Sequence, residues 1–126
     1  MIIPMAKQLF DEIIGKFGKA WADQKPDEVM DLITHEGLQY FESTFDEPTM
    51  NWDKVSELWR VVPENQKDIT WWHEILVCDQ HMALAHVRVT RTMVPSGESQ
   101  NIDAAFLFGF DDDGKINYFR QWRMLK

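Results

Sequence analysis

The feature that most constrains the fold of this chain is a change of period near residue 68. Before it, apolar residues recur every fourth position, at Leu9, Ile13, Phe17 and Trp21, with Phe10 and Ile14 widening the stripe. That spacing lays one apolar face along a helix, and Pro4 suits a first helical turn. After it, the period is two, so alternate side chains share one face of a strand. Helices followed by a run of strands define an α+β chain with an antiparallel meander.

Local signals place the other elements. Pro26 in a first turn, with Asp27 and Glu28 at the favourable end of the helix dipole, opens a second helix carrying Val29, Met30, Leu32 and Ile33. Gly37 stops it, residues 38–43 form a short strand, and FDEPTM is a loop. Asn51 is placed to cap a third helix whose apolar side is Trp52, Val55, Trp59 and Val62, with Pro63 ending it. Asp79-Gln80, Pro95-Ser96-Gly97 and Asp112-Asp113-Gly114 are turn signals, which gives four long strands near 69–78, 81–94, 100–110 and 115–125. Without repeats, low-complexity tracts or linkers, residues 1–126 are expected to form one domain.

Bulk properties exclude some partners. A formal charge of -8 repels phosphate backbones and anionic lipid, so neither nucleic acid nor membrane is expected. The opening MIIPMAKQLF lacks the pattern of a signal peptide, and no apolar run reaches the length of a membrane span. A lone Cys78 cannot form an internal disulfide, which fits a reducing, cytoplasmic setting. Six Trp and eight Phe exceed the ordinary needs of a small core, so they either thicken it or line an aromatic cavity.

The stretch LAHVRVTRT, residues 84–92, poses the functional question. One row carries Leu84, His86, Arg88, Thr90 and Thr92; the other carries Ala85, Val87, Val89 and Arg91. By burial preference alone the polar row faces water. A two-residue loop at Asp79-Gln80 would instead set Trp71 opposite Arg88 and His73 opposite His86. Two imidazoles beside a guanidinium and an indole would offer a general base and an anion anchor. Asp103, by parity with Phe106, points outward. DDDG lacks the ligand pattern of a calcium loop, two histidines without a third ligand hold no metal, and Cys78 has no base partner. No metal and no cofactor are expected.

Three segments carry a resemblance: AWADQKPDEVMDLI, FDEP followed by the helix bearing Trp59, and FLFGFDDDGKINYFRQW. Together with the order of elements, they make the chain similar to the nuclear transport factor 2 superfamily, in its SnoaL-like branch of polyketide cyclases and ketosteroid isomerase-like proteins. The resemblance implies a cystatin-like cone, a curved antiparallel sheet wrapped around three N-terminal helices, with a pocket at the wide end and a bacterial-type homodimer through the sheet. It also implies that Phe17, Phe41 and Phe106 stand where the isomerases carry a tyrosine and two aspartates. Phenylalanine moves no proton, so isomerisation by that route is not expected. A shift of one residue on the first strand would bring Tyr40 or Glu42 to the base position instead.

The same alignment turns His86 and Arg88 into the pocket, with Phe119, Gln121 and Arg123 inward and Arg120 and Trp122 outward. The expected base is therefore His86 or His73, with Arg88 or Gln121 polarising a carbonyl. Trp21, Tyr40, Phe41, Trp52, Trp59, Trp71, Phe106, Phe108 and Phe119 are the candidates for the pocket wall, with Asp46 and Glu47 near its mouth. The expected function is binding of an apolar, oxygenated small molecule, with proton-transfer chemistry of the cyclase, dehydratase or isomerase kind. A non-catalytic carrier or dimeric scaffold is the alternative, and an oxygenase subunit a third.

Overall fold

A computed structural model describes residues 2–42 and 47–125. Helix α1 spans Ile2–Ala22, the short α2 spans Pro26–Met30, and strand β1 is Gln39–Tyr40. Helix α3 covers Trp52–Arg60 and begins as its sequence requires: the Asn51 side chain accepts the Lys54 N–H at 3.1 Å. Pro63 does not end that helix but sits in the first turn of a separate short helix, α4, Val62–Asn65. The strands β2 (Gln66–Cys78), β3 (Met82–Met93), β4 (Ser99–Phe110) and β5 (Ile116–Leu125) then form the meander.

The sheet is open, with spatial order β1-β5-β4-β3-β2. Consecutive long strands pair antiparallel, and β1 closes the far edge parallel to β5, with Tyr40 opposite Phe119. One face of this curved sheet wraps the helices. Ala83, Ala85, Val87 and Val89 of β3 and Ile102, Ala104, Phe106 and Phe108 of β4 are buried on it. The small side chains of β3 leave room for the bulk of α1, whose Ile14 and Phe17 are fully enclosed. Helix and strand approach most closely at Gly18, where an added Cβ would lie 2.1 Å from Cδ2 of Trp71. Only glycine permits that contact. Among the described residues, no helix is long and apolar enough to cross a membrane.

The register of the first hairpin departs from expectation. Cys78 pairs with Ala83, leaving four residues in the connection, and a bulge follows between Ile75 and Val77. The connection is longer because Asp79 builds it: its carboxylate accepts the N–H of His81 at 2.7 Å and of Met82 at 2.8 Å. Trp71 therefore opposes Val89, His73 opposes Val87, and Arg88 and His86 oppose Trp72 and Glu74. An offset of one residue exchanges the two faces of β2. The histidines do not meet.

Candidate functional site

The row containing His86 and Arg88 lies on the outer face, back to back with the buried Ala85, Val87 and Val89. There His86 Nε2 bonds the Asp103 carboxylate, Trp72 meets the imidazole edge-on, and Arg88 sits 5.5 Å above the Trp72 ring. The expectation that these two residues line a pocket is overturned, because the apolar row of β3 is needed as core. Asp103 points outward as expected. His73 does belong to the inner face, but both ring nitrogens are engaged: Nδ1 accepts the Trp71 indole N–H at 2.9 Å and Nε2 faces Asp11 Oδ1 at 2.8 Å. An Nδ1 that accepts leaves the proton on Nε2, which donates to Asp11. His73 ties β2 to α1 and has no lone pair left for a substrate.

The side chains that converge on empty space lie elsewhere. Between α1, α3 and the inner sheet face is a cavity of about 110 Å³. Its floor is aromatic: Phe17 and Trp21 from α1, Trp59 from α3, Tyr40 from β1, Phe106 from β4 and Phe119 from β5. Phe17 organises this floor, meeting Trp59 edge-on at 5.4 Å and Phe119 at 5.7 Å between ring centroids. The rim is polar, formed by Glu42, Gln66, Arg91, Gln121 and Arg123. Larger hollows, such as the groove of about 430 Å³ beside Leu76, His86 and Trp122, lie on the outer surface and collect no such floor.

Hydrogen bonds fix the parts. The Trp59 indole N–H donates to the Tyr40 hydroxyl at 3.1 Å, and the Trp21 N–H donates to Gln66 Oε1 at 3.0 Å. Gln121 Nε2 donates to the backbone carbonyl of Glu42 at 3.2 Å, holding the chain beyond β1 against β5. Arg91 Nε donates to Gln100 Oε1 at 2.8 Å, which leaves its two terminal nitrogens for the cavity. Burial, and then the like charge of Arg123, hold the Arg91 guanidinium below its ordinary pKa; it remains a cation. Burial raises the Tyr40 phenol above its ordinary 10.0, only partly opposed by the Trp59 bond, so it stays a neutral donor.

Of the expected wall residues, Trp21, Tyr40, Trp59, Phe106, Phe119 and Gln121 line the cavity. Phe41 does not. It points away under the Arg120 guanidinium, and its neighbours Tyr40 and Glu42 take the inward positions, so the first strand is offset by one residue from the assumed alignment. Trp52 is also elsewhere: its N–H is spent on the carbonyls of Met30 and Ile33, and its ring stacks on His35. Trp71 and Phe108 pack behind Phe17 as core. Glu47 is exposed, and Asp46 lies outside the described residues. Arg91 and Arg123 were legible by parity, since each continues the buried row of its strand. Among the described residues, no group of three or more His, Cys, Asp or Glu is placed to hold a metal.

An open curved sheet clasping its helices, with an aromatic cavity beneath a charged rim, defines a domain of the cone-shaped α+β class. Residues 14–119 match the SnoaL-like domain model, and the chain belongs to that family. Among solved structures it is similar to the epoxide hydrolase/cyclase-like enzyme SalBIII, of pyran ring formation in the polyether salinomycin. That likeness has a TM-score of 0.80, 15% identity, and coverage of 94% of this chain and 92% of that one. An LEH-like epoxide hydrolase from M. tuberculosis matches with a TM-score of 0.74 and 16% identity, over 90% and 80% of the two chains. A protein assigned as a scytalone dehydratase from Novosphingobium aromaticivorans gives 0.80 and 8% identity, over 95% and 85%. At these identities the likeness establishes the fold alone. No curated protein sequence matches the chain.

Proposed function

We propose that this chain binds a small, largely apolar, oxygenated molecule in the cavity beneath α3 and moves a proton on it by side-chain chemistry. One observation carries this: among the described residues Glu42 is the only carboxylate lining the aromatic cavity, and it shares the rim with two guanidiniums and stands beside a phenol that keeps its proton. Glu42 takes the proton from carbon. The Tyr40 hydroxyl donates to the oxygen on which negative charge develops, in the field of the rim arginines. This replaces the histidine base expected from sequence. Relatives of the same fold that are named as cyclases, hydrolases and dehydratases support the class of chemistry, not the substrate.

The cavity also bounds the ligand. Its volume of about 110 Å³ is below the roughly 300–1,000 Å³ of drug-sized sites. It is nearer the about 150 Å³ of an engineered cavity that accepts benzene. A single ring or a short chain fits within it.

The test is deuterium incorporation from heavy water into one-ring enolisable ketones, followed by NMR. Glu42→Gln should lower the exchange rate by about 10²–10⁴-fold, whereas His86→Ala leaves it unchanged. Exchange that survives Glu42→Gln in full would remove Glu42 as the base.

A further inference from the structure

Resting on that pocket, we infer that its ligand is a small monocarboxylate, held by Arg91 and Arg123 with its apolar body on the aromatic floor. The two arginines reach the same rim from different strands, β3 and β5, and the charge of Arg123 bears on the Arg91 guanidinium. Among the described residues no carboxylate forms an ion pair with either one. Two like charges turned toward one cavity are unfavourable unless an anion comes between them. In a chain of net charge -8, whose field repels anions, these two cations stand at a cavity with an aromatic floor.

The charge count sets the valence of the ligand. Among the described residues, two guanidiniums against the single carboxylate of Glu42 leave one positive charge at the rim, so one carboxylate neutralises it and a second does not. Geometry sets the rest. With Nε of Arg91 already engaged by Gln100, its terminal nitrogens are the free pair, suited to the two oxygens of a carboxylate. Phe17, Trp21, Trp59 and Phe119 then receive a flat body about one ring in size.

Isothermal titration of the full chain with benzoate, benzamide and terephthalate tests this. Benzoate should bind roughly tenfold or more tightly than the neutral benzamide, as expected of a hydrogen bond to a charged group, and its affinity should fall with added salt. Terephthalate, a dianion, should bind more weakly than benzoate. Arg123→Gln, an exposed position, should bring benzoate down to the level of benzamide. Arg91→Gln should do the same. Benzamide binding as well as benzoate, with neither arginine mattering, overturns the carboxylate assignment and leaves the pocket standing. Tighter binding of terephthalate overturns the monoanion. If neither ring binds, the pocket itself fails, and the carboxylate with it.

Discussion

Tyr40 joins the floor of the cavity to its rim, and its hydroxyl is the sole acceptor for the Trp59 indole in a buried setting. Tyr40→Phe leaves that N–H unsatisfied, so a loss of about 1–3 kcal/mol is expected in denaturant unfolding. The phenol also makes stability depend on pH. Its folded pKa is raised above 10.0 by burial, so the folded state holds its proton more tightly than the unfolded chain. The stabilisation is complete below pH 10.0 and is lost as the pH rises through the folded value. Wild type should therefore lose stability above pH 10.0 more steeply than Tyr40→Phe, and equal slopes would show that the phenol is not buried. At the same scale lies the limit of what the sequence could reveal about histidine. Nothing in HVR distinguishes an imidazole facing substrate from one bonded to Asp103 on the outside, because the row's direction is decided by strands it pairs with.

Whole elements were far more legible. The four-residue stripe of α1, the Asn51 cap and the three turns each follow from local chemistry, and the elements form where those signals put them. Faces were legible only where no irregularity intervened. On β4 and β5 simple parity holds from Ala104 to Phe108 and from Phe119 to Arg123, so Gln121 and Arg123 were correctly read as inward. On β2 the Asp79 turn and the bulge after Ile75 together displaced the pairing by one, which misplaced Trp71 and His73 relative to Arg88 and His86. A bulge has no dependable sequence signature, whereas its consequence reaches every side chain beyond it. The close approach of α1 to β2 is a feature of elements too. Gly18→Ala drives a methyl group into the Trp71 ring, both parts of packed elements, and should cost about 1–3 kcal/mol. Thermal unfolding checks this, and an unchanged midpoint would mean that α1 and β2 are farther apart than described.

Over the whole molecule two surfaces compete for a function. The inner cavity gathers the aromatic floor and the charged rim. The outer face has exposed apolar bulk: Trp72, Leu76, Val77, Trp122 and Met124 stand open around the His86–Asp103 pair. We propose that a second copy of the chain covers this face, as the resemblance to dimeric cone-shaped proteins implies. Stable dimers of ordinary size bury about 800 Å² on each partner, an area that a sheet face of this kind can supply. Sedimentation should find a dimer that Trp122→Glu converts to monomer, and a wild-type monomer at tens of micromolar would remove the proposal. Because both surfaces carry indoles, one spectrum separates them. In a ¹H–¹⁵N correlation spectrum the six Trp side chains report individually through their indole N–H groups. Titrated with benzoate, the Trp21 and Trp59 signals should move while those of Trp72 and Trp122 stay in place. Movement of Trp72 and Trp122 with Trp21 and Trp59 unmoved would put the binding site on the outer face and contradict the cavity as the seat of function.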